Sequence, residues 1–383
     1  MLPKFKSGVL IMSDNKQSQK AGDNSQLVQA GTVQIFNGID EKRAREICAE
    51  TYEIARRDFT ADAYACANKR VQQFEESLFS RISKLEGALN SFADPAFQFL
   101  LTSAQKTAAA SERDADYDML AELLVCRIEK GQSRKTRTGI SKAVEIVDKI
   151  DDDALCALTV IHTVKQILPS AGFCKAGIKI LADTFEKLIY MELPTGIDWI
   201  EHLDILDAVR INNVNQFKKI DVLYPESLDG YSLAGIEIGS DNYKKALELL
   251  ASVNLGSSTL VTNELLENYV RLPISNKIKI KDARIIYNTE VNGVVDSSPK
   301  PLNEKEIEIL EAVWDLYTKD VNANTNAKRA FMKEWDNHPS LNKLHSWWDK
   351  IPYAIDITYV GTVLARTNAR RCDKNIPELP ITT

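Results

Sequence analysis

This chain lacks most of the features that announce a chemistry. No run of about eighteen apolar residues occurs, so no transmembrane helix is expected. There is no Walker phosphate loop: Gly230 and Gly235 have the spacing, but Ile236 and Glu237 stand where Lys and Ser or Thr are required. No three-glycine nucleotide fingerprint is present, and no cofactor is expected. Histidine is scarce, at four residues (His162, His202, His338, His345), with no helical i,i+4 pair and no cysteine cluster nearby. That argues against zinc. The six cysteines (Cys48, Cys66, Cys126, Cys156, Cys174, Cys372) show no paired spacing, and several sit among apolar neighbours. Reduced core cysteines do this, which predicts a cytoplasmic, reducing compartment. A net charge of −6 excludes nucleic-acid binding through bulk positive charge and leaves room only for a local basic patch.

What is present suits a globular protein. The 383 residues, 44% of them hydrophobic, are enough for two domains and a substantial core. The start resembles a charged region before an apolar one, but the apolar run covers only 9–12, too short for a signal sequence. Residues 1–21 read as disordered or as an over-called translation start. Residues 22–39 are polar and punctuated by glycine, with two short extended runs at 26–29 and 32–36. An isolated two-stranded hairpin is marginal in water. A stable β element here therefore needs partners, and the same segment of other copies would supply them through Asn24, Gln26, Gln29, Val33, Ile35 and Phe36. The alternative is a disordered tail.

The predicted fold class is mainly α: a long N-terminal helix after the short β element, a helical bundle, and a smaller α+β C-terminal part. From Asp40, helical periodicity runs to about Leu89, and 40–92 read as a long coiled-coil-like helix. Tyr64, Ala67, Val71, Phe74, Leu78, Ile82, Leu85 and Leu89 recur at three- and four-residue steps. A continuous helix here would extend roughly 75 Å at about 1.5 Å per residue. A break at Thr60 would give instead two ordinary helices folded onto the next domain. Residues 93–222 read as an α-helical domain with short connections. Residues 223–383 read as an α+β domain, with strand-like stretches at 231–238, 278–295 and 354–357. Pro299, Lys300 and Pro301 mark a linker or turn, and Thr358 is placed to cap a final helix.

Candidate functional residues are few. The basic stretch 130–137, with Arg134, Lys135 and Arg137, could contact phosphate. It contains no aromatic residue to stack on bases, and a solvated loop is the plainer reading. Asp151, Asp152 and Asp153 suit a helix N-terminus better than a cation site. Asp282 with Glu290 resembles a nuclease pair, but Asn292 stands where the lysine would be needed. His162, in an apolar run, reads as a partly buried structural residue. Trp347, Trp348 and Asp349 are more specific. Adjacent tryptophans on a helix point roughly 100° apart, so one should be core and the other a contact surface.

Three segments carry a resemblance: Gly22-Asp23-Asn24-Ser25 with Gln29-Ala30-Gly31 before a long helix; Asp118 to Leu124 with Arg127, then Ala143 to Val147; and Trp347-Trp348-Asp349 with Thr358 to Gly361 and Asn368 to Arg371. Together they resemble a bacterial protein family known mainly by locus-tag names, from about residue 13 to the end. The resemblance brings no established catalytic residues. The N-terminal stub is similar to multimerisation segments of phage-defence proteins, which implies a homo-oligomer and a protein partner or phage-derived trigger. The expectation is a self-assembling cytosolic protein with a C-terminal sensing or binding module. Two alternatives stand beside it. One is a nucleic-acid-acting effector enzyme whose acidic or histidine side chains converge from distant positions. The other is a winged-helix-like nucleic-acid binder, which requires Arg366, Arg370 and Arg371 to share an exposed basic face.

Overall fold

A computed structural model of the protein describes residues 39–55, 60–212, 214–286, 289–291, 294–296 and 299–377. The fold is mainly α with a small α+β part. Helices α1 (Glu41–Ala55) and α2 (Ala61–Ile82) do not form one rod through Thr60, whose backbone is extended at φ −69° and ψ 159°. Thr60 is the break the sequence offered as an alternative. The stripe from Ala67 through Val71, Phe74 and Leu78 to Ile82 is buried, and it is covered within the chain by α3 (Pro95–Ala110) and α4 (Asp114–Lys130). The expectation of a long coiled-coil-like helix over 40–92 is corrected accordingly. α1 returns over the same core, where Gln105 of α3 donates to Cys48 O at 2.9 Å and accepts from Thr51 at 2.9 Å.

The bundle continues through α5 (Arg134–Ile146), α6 (Asp152–Gln166), α7 (Cys174–Leu188) and α8 (Asp198–Ile205). α6 is buried on every side from Ala154 to Val164, as its near-absence of charge dictates. Strand β1 (Val209–Asn212), α9 (Ile220–Ser227) and the single turn α10 (Asp229–Ser232) follow.

There the chain leaves the bundle and builds a smaller unit with a core of its own, including Ile236, Leu250, Leu272, Ile280, Val313 and Trp314. Its elements are β2 (Ile236–Glu237), α11 (Asp241–Ala251), β3 (Val261–Thr262), β4 (Tyr269–Arg271), β5 (Arg284–Ile286), β6 (Thr289–Val291), β7 (Val294–Asp296), β8 (Pro299–Pro301) and α12 (Glu304–Asp315). β4 is the middle of a three-stranded antiparallel sheet in the order β2-β4-β3. β8, expected as a linker, pairs with β5.

The chain then returns. α13 (Val321–Asp336), α14 (Pro339–Trp348), β9 (Ala354–Ile357) and α15 (Tyr359–Cys372) all rejoin the large helical core. A boundary at 223 with everything after it in one α+β domain is therefore corrected: the α+β unit is an insertion, and the C-terminal helices complete the bundle. Antiparallel pairing of β9 with β1, in register Val209↔Ile357, brings the returning chain to the centre of the molecule. It feeds α15 in among α4, α5, α6 and α7. Gly361 makes this possible, since a Cβ there would lie 1.9 Å from Ala208 O.

Candidate functional site

Helices α5 and α15 both start at one open hollow. Ser133 caps α5 by accepting from Thr136 N at 3.0 Å, and Thr358 caps α15 by accepting from Gly361 N at 3.1 Å. Arg134, Thr138 and Lys142 follow one another at helical i+4 steps, with Lys135 and Gly139 alongside. The Tyr359 ring lies against Gly139, where an added Cβ would meet the ring carbon Cδ1 at 2.3 Å. Its hydroxyl donates to Thr136 Oγ1 at 2.9 Å, and Lys135 Nζ stands 5.1 Å from the ring centroid. The ring, Val360 and Gly139 floor a hollow of about 390 Å³, around which stand Arg134, Lys135 and Lys142. Lys142 Nζ is 3.7 Å from Asp207 Oδ2, whose carboxyl a hydrogen bond from Arg210 holds below its usual range. The arrangement is an apolar floor with a cationic rim, fitted to an anionic group that carries apolar surface.

Sequence reasoning placed two of these residues. Arg134 and Lys135 line the hollow; Arg137 is exposed on α5 but does not. The stretch from 134 onwards is the first turns of a helix, not a loop, because Ser133 caps it. Lys142 was missed although its spacing from Arg134 signalled a shared face. Tyr359 had no signal, being 223 residues from its partner Thr136.

The tryptophan reading is corrected. Trp347 is 7% exposed and Trp348 2%, so both are core. Adjacent residues do point apart, but α14 is covered on both sides. Trp347 packs on Trp199 with centroids 5.9 Å apart and donates to Pro194 O at 2.7 Å. Trp348 stacks on Phe217 at 4.7 Å and donates to Lys218 O at 2.9 Å. Asp349 accepts from Ile220 N at 3.1 Å, securing the start of α9 rather than facing a partner.

The condition for a winged-helix-like binder is not met. α15 is a central helix; Arg370 Nε lies 3.2 Å from Glu122 Oε1, and Arg371 donates to Asn368 Oδ1 at 2.9 Å and lies over Tyr190. The aspartates 151–153 sit at the start of α6, with Asp152 paired to Arg113 at 2.9 Å. Asp282 pairs with Lys279 at 2.9 Å. Among the described residues no group of three or more His, Cys, Asp or Glu is placed to hold a metal ion. His162 is buried, as expected. No described helix is long and apolar enough to cross a membrane. Asn24, Gln26, Gln29, Val33, Ile35 and Phe36 lie outside the described residues.

No curated protein and no solved structure matches the chain. A protein-family model whose description is a locus-tag-style name ending in "-like" matches residues 38–381. That span takes in the whole bundle, the inserted unit and both walls of the hollow, and the chain belongs to this family.

Proposed function

We propose that the protein is a self-associating binding protein whose α5–α15 hollow takes an acidic segment of a partner protein bearing an apolar side chain. The observation that carries this is the convergence of Arg134, Lys135 and Lys142 around a floor of Tyr359, Val360 and Gly139. Cations on a rim steer and orient an acidic chain, and the concave floor buries its apolar group. The probe is a labelled peptide of alternating Glu and Leu, with an oligo-dT of equal charge as the competitor class. The peptide should bind in a salt-dependent manner, and Arg134→Glu with Lys142→Glu should weaken it at least about tenfold, as loss of charge-assisted contacts does. Tighter binding of oligo-dT would favour the nucleic-acid reading, and no binding of either removes the hollow as a site.

Self-association rests on residues 22–38, whose polar, glycine-punctuated runs cannot bury a core alone. These residues lie almost wholly before the family match, which begins at residue 38. Deleting 1–39 should lower the particle mass by an integral factor with helicity intact, and an unchanged mass would refute assembly through this segment. A role in phage defence, with a phage-derived trigger as the partner, rests on the likeness of that segment alone. Its test is loss of protection in cells carrying the same deletion.

A further inference from the structure

Helix α8 ends beside the α5–α15 hollow in a left-handed turn that glycine would make with least strain. Ala208 N donates to Leu203 O at 2.9 Å and Asp207 N to Asp204 O at 3.0 Å, the pair of bonds that closes a helix through a left-handed residue. The residue in that conformation is Asp207, at φ 58°. Glycine adopts it freely, whereas a Cβ crowds it, and Asp and Asn are the side chains that tolerate it best. An aspartate held there at some conformational cost points to a use for its carboxyl.

The turn is tied to the wall of the hollow. Thr358, the cap of α15, donates from its backbone to Ala208 O at 3.0 Å and from its hydroxyl to Asp207 O at 2.5 Å. The next residue is Tyr359, which floors the hollow. The two oxygens of the Asp207 carboxyl have different neighbours: Oδ1 accepts from Arg210, and Oδ2 stands 3.7 Å from Nζ of Lys142 on the rim. Arg210, first by its hydrogen bond and then by its charge, holds this carboxyl below its usual range, so it is an anion at neutral pH. Lys142 and Asp207 are both about half exposed, so water and a competing ion can separate them. When Lys142 turns away, Arg210 remains to satisfy Asp207.

We propose that Asp207 is a built-in competitor for the α5–α15 hollow: its carboxylate holds Lys142 in the free protein, and an entering acidic side chain takes Lys142 from it. The inference rests on the hollow being the binding site, and it adds a regulating contact to that reading. An acidic side chain exchanges one carboxylate for another at Lys142, so the net gain from that contact is small by construction. Asp207 thereby lowers the affinity of the site below what its cations alone would give and keeps the complex reversible.

The test titrates the full-length chain with the labelled Glu and Leu peptide at fixed pH and low ionic strength. The proteins are wild type, Asp207→Asn, Asp207→Gly, Lys142→Gln and the double variant Lys142→Gln with Asp207→Asn. Asn and Gly both accept the left-handed turn, so either variant decides if the other does not fold. Asp207→Asn and Asp207→Gly should each bind the peptide about two- to fivefold more tightly than wild type, the range of an exposed ion pair. The gain should vanish when Asp207→Asn is made in Lys142→Gln, because the competitor then has nothing to hold. Binding by the Asp207 variants alone would be the same effect in stronger form and would also support the proposal. An equal gain with Lys142 absent would show general charge repulsion, and unchanged or weaker binding by the Asp207 variants would show no competition. Either result overturns the competitor and leaves the hollow as the site. No peptide binding by wild type or by either Asp207 variant removes the hollow and the competitor together.

Discussion

In the helical body the tryptophan rings are buried against other aromatic rings. Trp335, Trp347 and Trp348 each donate from the indole nitrogen to a backbone carbonyl, those of Leu341, Pro194 and Lys218. In the inserted unit the strands are two or three residues long, and its largest fully buried side chain is a charged one. Arg271 donates to Leu272 O and Gly172 O, each at 3.1 Å, and lies 3.7 Å from Glu264. Tyr317 accepts from Leu272 N at 2.7 Å. The body thus relies on apolar area contributed by distant parts of the chain, and the insert on polar side chains that complete the backbone bonding its short strands leave open. The difference predicts a cooperative body and a less stable insert that loosens first.

The strongest way to break this comparison is at the adjacent tryptophans. Trp347→Ala and Trp348→Ala should each destabilise the body by about 3–5 kcal/mol in chemical denaturation, the range for losing a buried large aromatic. If one of them is silent, one wall of α14 is not packed as described.

Next in size is acid sensitivity. All four histidines lie outside the insert, and His162 is the one buried neutral in the body. Its folded pKa, about 4, lies below the unfolded value of 6.5. Protons therefore favour the unfolded chain: the penalty is absent above pH 6.5, grows as pH falls, and is complete near pH 4. It amounts to about 3 kcal/mol over that window. Burial pushes the Glu75 and Asp116 carboxyls up, which works in the opposite direction, so wild type must be read against His162→Gln. The difference between the two stability–pH curves should open between pH 6.5 and 4. Parallel curves would mean that His162 titrates normally.

Arg271→Met keeps most of the bulk and removes the donors. Gly172 O and Leu272 O each lose a partner, a cost of about 2 kcal/mol in total if water reaches one of them. Hydrogen exchange should show the loss in β4 and the 171–173 connection while α6 stays protected. Uniform loosening across the bundle would show that insert and body form one cooperative unit.

Which parts were legible follows from the range of the interactions. Helix periods, the Thr358 cap and the break at Thr60 are local, and local residues signal them. The burial of the stripe from Ala67 to Ile82 was legible because the spacing of its apolar residues demanded a cover. What covers it was not. The return of α13–α15 to the bundle depends on β9 finding β1 across some 140 residues, and four-residue strands carry no address for that partner. Half of the candidate site was hidden for the same reason. Arg134 and Lys135 stand out as charge, but the Tyr359 floor comes from the far end of the chain. The tryptophan pair misled because helix geometry says which way two rings point and nothing of what lies there.

The smallest expected effect makes the sharpest comparison, because the same chemical change can be made in both regions. Ser133 caps α5 in the body, accepting from Thr136 N at 3.0 Å. Asn303 caps α12 in the insert as half of a capping box: it accepts from Glu306 N at 2.9 Å, and its own N–H donates to Glu306 Oε2 at 2.8 Å. Substituting either by Ala removes one acceptor for an orphan helix N–H and costs about 1 kcal/mol. In the body that loss is shared by a large cooperative core, so Ser133→Ala should shift the main unfolding transition slightly and leave local exchange in α5 near the global rate. In the insert the loss falls on a small core with short strands, so Asn303→Ala should raise exchange selectively in α12 and in β4. A larger shift of the main transition for Asn303→Ala than for Ser133→Ala would reverse the ranking of the two regions.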